Sequence, residues 1–278
     1  MAADTVRGAR KVGRYTTLVV LSAIVLFPIY AVLLQALKSG PDSFDHPRSL
    51  LPVDLTFDTI RSAWRIGNLD RLLLNSLFVS LAVTIGVIVT SVLAAYAFAF
   101  LNFPLKKAVF ALFISTMLVP AEVTVLINYN TADSLGWTNS YLGLIVPSLA
   151  SMFGVFLVRQ VFLQIPGELR EAAALDGLGH WRFLWSVAVP LSRPTLGALG
   201  LFVFLGTWNA YLWPSQVITD EDHRTIQIGL EHLKTPNDIS KFNLVTGGLV
   251  VAAVPIFVML VVFQRQLVRG LTAGAVKG

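Results

Sequence analysis

Few residues in this chain have the type and spacing to do covalent chemistry. There is no cysteine, which excludes disulfides, thiolate metal sites and cysteine nucleophiles. The four histidines, His46, His180, His223 and His232, fall between the apolar runs and form no H-E-x-x-H spacing, so no metal site is expected. No G-x-x-x-x-G-K-S/T phosphate loop occurs, so the chain lacks the usual means of holding ATP. Two features offer recognition instead. One is Glu122, an acid set inside an apolar run, where an ionisable group is costly and tends to face a cavity or a partner. The other is a polar segment between two apolar runs, reading Ile165-Pro166-Gly167-Glu168-Leu169-Arg170-Glu171-Ala172-Ala173-Ala174-Leu175-Asp176-Gly177-Leu178-Gly179.

That segment predicts a helix of two or three turns. Pro166 suits a helix entrance, and Glu168 and Glu171 lie where acids favour the helix N-terminus. Ala172 and Ala173 begin a run of strong helix formers, and Gly177 and Gly179 are good stops. Small side chains let a groove on another protein approach the helix backbone. Composition equally allows an amphipathic helix lying on a membrane surface.

The elements that must position these residues are membrane helices. Of 278 residues, 55% are hydrophobic and 13% charged, about half the charge of a soluble domain. Uncharged stretches run over residues 15–37, 72–105, 134–158, 194–219 and 242–264, and a sixth apolar run, 108–128, is broken only by Glu122. The second stretch exceeds one span, and Asn102-Phe103-Pro104 marks its exit near Phe100. A helix needs roughly 20 apolar residues to cross the hydrocarbon core, so six spans are expected. The backbone must satisfy its own hydrogen bonds in lipid, which selects helices over short strands. The first run is too long for a signal-peptide core and is followed by Lys38 rather than a cleavage site.

Lysine and arginine placement sets the orientation. With the N-terminus cytoplasmic, the inner segments hold thirteen basic and four acidic residues, and the outer ones eight and eleven. This is the positive-inside pattern. It also accounts for the pI near 9.6 without a nucleic-acid partner. The expected layout is a cytoplasmic segment 1–14, a six-helix domain 15–264 containing an inner loop 164–194, and a cytoplasmic tail 265–278. The expected location is the bacterial plasma (inner) membrane, with both termini inside.

Glu171-Ala172-Ala173, Asp176-Gly177, Pro190 and Pro194 resemble the EAA loop of ABC importer permeases, at the spacing of that family. The C-terminal residues from Val268, among them Gly270, Leu271, Gly274 and Lys277, are similar to the tail of the second permease in maltose-type carbohydrate importers. Trp208-Asn209-Ala210-Tyr211-Leu212-Trp213-Pro214 is similar to a recurrent segment of the same group. The resemblance implies an all-α type I importer fold whose coupling helix sits in a cleft of an ATPase subunit. Glu168, Glu171, Ala172, Ala173, Asp176, Gly177 and Pro190 would be its coupling residues, and the tail would contact the ATPase dimer. It further implies a second permease subunit, an extracellular or periplasmic solute-binding protein, and ATP with magnesium held by the ATPase partner rather than by this non-catalytic chain.

Candidates for the solute pathway are Glu122, Asn128, Tyr129 and Asn130 on the third span, and Trp208, Asn209 and Tyr211 part-way along the fifth. For Glu122 the alternative is a structural carboxylate paired with a neighbour or protonated by burial. For the tryptophans it is packing or interfacial anchoring. Asn75 and Ser76 read as caps or packing residues opening the second span. The runs Leu74-Asn75-Ser76, Val119-Pro120-Ala121-Glu122-Val123 and Ile218-Thr219-Asp220 resemble the glycerol-3-phosphate branch of the carbohydrate family, which imports sn-glycerol 3-phosphate or glycerophosphodiesters. The spans carry no lysine or arginine for a phosphate, which keeps a neutral sugar or oligosaccharide as the alternative. An ion-driven transporter would call for intramembrane charged pairs in two symmetric halves, and Glu122 has no symmetric counterpart.

Overall fold

Proline decides where the apolar runs bend. The computed structural model describes residues 2–39, 49–51, 54–234 and 242–272. In chain order the helices are α1 (Ala2–Leu37), α2 (Asp58–Ile66), α3 (Leu69–Phe100), α4 (Lys106–Ser115), α5 (Ala121–Ser134), α6 (Tyr141–Ile145), α7 (Met152–Phe162), α8 (Gly167–Leu175), α9 (His180–Phe183), α10 (Val189–Leu191), α11 (Arg193–Trp208), α12 (Leu212–Val217), α13 (Ile226–His232) and α14 (Phe242–Thr272). Three stretches are single helices long and apolar enough to cross a membrane: Gly13–Leu37, Leu69–Phe100 and Asn243–Gln264. Three more are bent pairs, Lys106–Leu118 with Glu122–Ser134 at 103°, Tyr141–Ser148 with Met152–Phe162 at 43°, and His180–Leu191 with Arg193–Trp208 at 78°. Counting each pair as one span gives six, the expected number, in an all-α chain, with the fifth opening at His180, inside the inner loop expected over 164–194, and ending at Trp208.

The bends correct the picture of straight spans. In the third, Pro120 has no N–H to continue the ladder, and Val119 before it is extended at φ −85° and ψ 116°. Glu122 therefore lies in the first turn of a new helix rather than inside one unbroken span over 108–128. In the fourth, the run opens at Tyr141, because residue Ser134 ends α5, and Pro147 stands at the 3₁₀ turn before Ser151 recaps α7 by accepting from Gly154 N. In the fifth, the helix stops at Trp208 and restarts at Leu212. A continuous helix would drive the Pro214 ring into the Ala210 carbonyl; restarting puts Pro214 in a first turn that needs no N–H. Asn209 and Tyr211 thus sit in a break, not along a span. At the other end, α1 begins at Ala2, so residues 2–14 are part of the first helix.

The chain divides into two units. The first comprises Met1–Asp70 with Leu230–Ala253. Here Lys38, fully buried, donates through Nζ to Ser49 O at 2.8 Å, and Thr59 Oγ1 donates to Lys38 O at 2.9 Å. Gln35 Nε2 donates to Asn243 Oδ1 at 2.8 Å. Val19, Ile24 and Val25 of α1 are exposed, which suits a face toward lipid or another membrane subunit.

The second unit comprises Arg71–Gly229 with Val254–Gly278. One of its apolar clusters gathers Val92, Ala95 and Tyr96 of α3 with Val158 and Phe162 of α7, Phe183 of α9 and Leu199 of α11. Another gathers Val79, Val83 and Val87 of α3 with Leu144, Val217 and Ile228. Gly154 lets α7 approach α3 at Ser91, where a Cβ would collide with the serine side chain. Such close approach at small residues is how helices associate when no hydrophobic drive separates lipid from leucine.

Candidate functional site

The polar segment after α7 folds as read. Pro166 caps α8 at φ −56° and ψ 139°, with Glu168 in the first turn. Gly177 takes φ +76° and closes the helix. Its N–H reaches Ala174 O at 3.0 Å, and Leu178 N reaches Ala173 O at 2.9 Å. These two bonds are the Schellman pattern, and the left-handed residue it needs is one that glycine adopts without strain.

How α8 meets its own chain is the informative part. Ala173 is buried in the aromatic cluster, flanked by the half-buried Ile165 and Leu178. Glu168, Glu171, Ala172, Asp176 and Gly177 are exposed, and Leu175 is 90% exposed. Pro190, half-buried, lies on α10 directly after a π-helical turn, Leu184–Ala188. Proline cannot donate to the carbonyl four residues back and its ring crowds that carbonyl, so a widened turn is a natural neighbour for it.

Sequence reading missed the anchor on the far side of the turn. The Tyr96 hydroxyl and His180 Nδ1 are 2.9 Å apart, in a hydrogen bond whose direction depends on the histidine tautomer. The Tyr96 ring packs edge-on to Phe162 and His180. These partners are 84 residues apart in the chain, and no local pattern marks either one. Beside them lies a hollow of about 700 Å³, lined by residues that include Asn102, Arg170, Glu171 and His180.

A second cavity, of about 440 Å³, gathers some of the proposed pathway residues and leaves others out. Glu122 and Asn128 of α5 line it with Tyr211 from the break in the fifth run and Trp213, joined by Ser148, Thr207 and Thr225, which sequence reading did not single out for it. Tyr129 instead packs on the cluster around Val79. Asn130 is exposed outside the lining. Trp208 is buried and stacked on Phe204 at 5.7 Å, and Asn209 Nδ2 donates to Leu205 O at 2.8 Å. Of the tail residues, Gly270 and Leu271 fall in the last turns of α14, and Gly274 and Lys277 lie outside the described residues.

Asn75 and Ser76 lie two turns inside α3 and hold the segment before α13, rather than capping a helix. Asn75 Nδ2 donates to Asp222 O and Arg224 O at 2.8 and 2.9 Å, while its Oδ1 accepts from Tyr141 at 2.8 Å. Ser76 Oγ accepts from Ile226 N at 2.7 Å. Thr225 is thereby fixed on both sides.

The family described as binding-protein-dependent transport system inner membrane component matches residues 82–272, which include the whole of α8 and most of the cavity wall. The chain belongs to this family. It is a membrane permease of the ABC importer class. Among its relatives, the sn-glycerol-3-phosphate transport system permease protein UgpE of Agrobacterium fabrum is 39% identical over 256 residues, covering 89% of this permease and 91% of the relative. The proteins of the same description from Brucella abortus and Yersinia pestis are 37% and 34% identical, with the same coverage of both chains. Among solved structures, a chain of a bacterial ABC transporter involved in import of the acidic polysaccharide alginate superposes with a TM-score of 0.82 at 20% identity, over 95% of this permease and 98% of that chain. That likeness speaks to the fold.

Proposed function

We propose that this permease forms half of the translocation pathway of an ATP-driven importer, working by alternating access, with sn-glycerol 3-phosphate or a glycerophosphodiester as solute. The observation that carries the coupling role is the attachment of α8: one buried residue, Ala173, with Leu175 left 90% exposed beside it. An apolar side chain so exposed on a polar helix fits a partner's groove. In this reading Glu168, Glu171, Ala172, Asp176 and Gly177 contact an ATPase subunit, Ala173 and Pro190 hold the loop to the spans, and the tail bearing Gly270, Leu271, Gly274 and Lys277 reaches the same partner. ATP and magnesium belong to the ATPase dimer. A second permease completes the pathway, and a solute-binding protein delivers the solute to the outer side. Both termini face the cytoplasm, as the basic inner segments imply. The solute assignment leans on the UgpE relatives, 34–39% identical across nine-tenths of the chain.

The test is reconstitution. This permease, its second permease and the ATPase are co-expressed, purified through this chain, and assayed with the cognate binding protein. ATPase stimulation and uptake driven by sn-glycerol 3-phosphate are expected. Failure of the ATPase to co-purify overturns the coupling role, and stimulation by a neutral sugar alone overturns the solute.

A further inference from the structure

The cavity that holds Glu122 has a chemical sign. Of its sixteen lining residues, Glu122 is the one with an acidic side chain, and no lysine, arginine or histidine is among them. The other hydroxyl and amide side chains are those of Thr124, Ser148, Thr207, Tyr211, Thr225 and Asn128, and the rest of the wall includes Val79, Leu144 and Trp213. Trp213 is held in place by donating Nε1–H to Gly143 O at 3.0 Å. A wall of this kind repels a phosphate dianion and accepts hydroxyl groups.

Thr225 supplies a second, independent observation. It is 6% exposed, and its hydroxyl has no hydrogen-bond partner among the described residues. Looseness does not explain this. Arg224 O on one side is tied to Asn75, and Ile226 N on the other is tied to Ser76. A buried hydroxyl held without a partner at a cavity wall is costly unless something entering the cavity meets it.

We infer that this cavity binds the hydroxyl-bearing end of the solute, with the Glu122 carboxylate accepting from a vicinal diol and the Thr225 hydroxyl completing the contact, while the phosphate is met outside this cavity. The inference rests on the importer reading and its glycerol-phosphate solute. It divides recognition along the solute: this permease takes the diol, and the anionic end falls to another part of the assembly.

The test uses the full reconstituted complex carrying Glu122→Gln, Thr225→Val or Thr225→Ser. Removing a charged acceptor or a buried hydroxyl should cut uptake of labelled sn-glycerol 3-phosphate by about tenfold in the first two variants, while Thr225→Ser keeps it within about twofold. Co-purification of the second permease and the ATPase with each variant, at the wild-type ratio, shows that each has folded and assembled. In complexes trapped with ATP and labelled solute, Glu122→Gln weakens displacement by excess glycerol and leaves displacement by inorganic phosphate unchanged. Wild-type uptake in both Glu122→Gln and Thr225→Val overturns the inference, as does a Glu122→Gln effect on phosphate displacement. If the wild-type complex takes up no sn-glycerol 3-phosphate at all, the solute assignment beneath the inference fails instead.

Discussion

Replacing Gly177 isolates the turn that closes α8 from every other feature of the loop. A Cβ at this position meets nothing of this chain within 4 Å, so within the permease a substitution acts through the backbone, and asparagine controls for added bulk toward a partner. At φ +76° an ordinary L-residue costs about 1–2 kcal/mol, and a β-branched residue is worse. Relief of that strain means opening the turn, which gives up the Gly177 N to Ala174 O and Leu178 N to Ala173 O bonds and frees Leu178 from the cluster. A penalty of that size shifts the ratio of formed to open turn by about 5–30-fold. In proteoliposomes, Gly177→Val should lower solute uptake per ATP hydrolysed by about fivefold or more. Gly177→Asn should stay within about twofold of wild type, because asparagine tolerates the left-handed region. The reasoning is refuted if valine performs as glycine does, or if asparagine is as damaging as valine.

Other perturbations probe the neighbours of that turn and the outer polar clamp. Ala173→Phe overpacks the cluster around Phe162 and Phe183 and should destabilise the complex by about 1–3 kcal/mol, read as a lower melting temperature in detergent. Leu175→Asp changes a residue 90% exposed, so the permease should retain its own thermal stability while recovery of the ATPase on co-purification drops. Tyr96→Phe deletes the hydrogen bond to His180 at a net cost of about 0.5–1.5 kcal/mol, and amide exchange at Leu178 and Phe183 should speed up while α8 stays helical. Asn75→Leu strips partners from the Asp222 and Arg224 carbonyls and from Tyr141, and proteolytic nicking between α12 and α13 should become faster than in wild type.

Legibility in the sequence follows the range of the interactions. Helix α8 was readable from Pro166 to Gly177 because its start, its formers and its stop are all local. The apolar runs were readable for the same reason, since lipid imposes a length on each. The prolines at 120, 147 and 214 were visible as residues, yet a proline fixes where a helix breaks and leaves the new direction to packing. The 103° turn before Glu122 and the restart at Leu212 therefore had to come from the fold. Tyr96 with His180, and Asn75 with the carbonyls near Arg224, join positions far apart in the chain, and a single sequence carries no mark of such pairs. Thr225 was hidden more thoroughly still. Its interest lies in the neighbours that immobilise it and in the hydroxyl they leave open.

The single buried methyl that seats α8 sets a scale for who controls it. Burying one such group is worth about 0.8 kcal/mol, only slightly above thermal energy. The flanking Ile165 and Leu178, half-buried on the loop at either side, keep the helix near the core. A partner that grips Leu175 has little to overcome in order to move the helix, and little of its effort is lost in breaking it away. In the coupling role proposed above, load would pass into the flanks, to α7 on one side and through His180 to Tyr96 on the other. A lever works when its bearing is slack and its arms are rigid, and in that proposed role one alanine among phenylalanines would provide the slack.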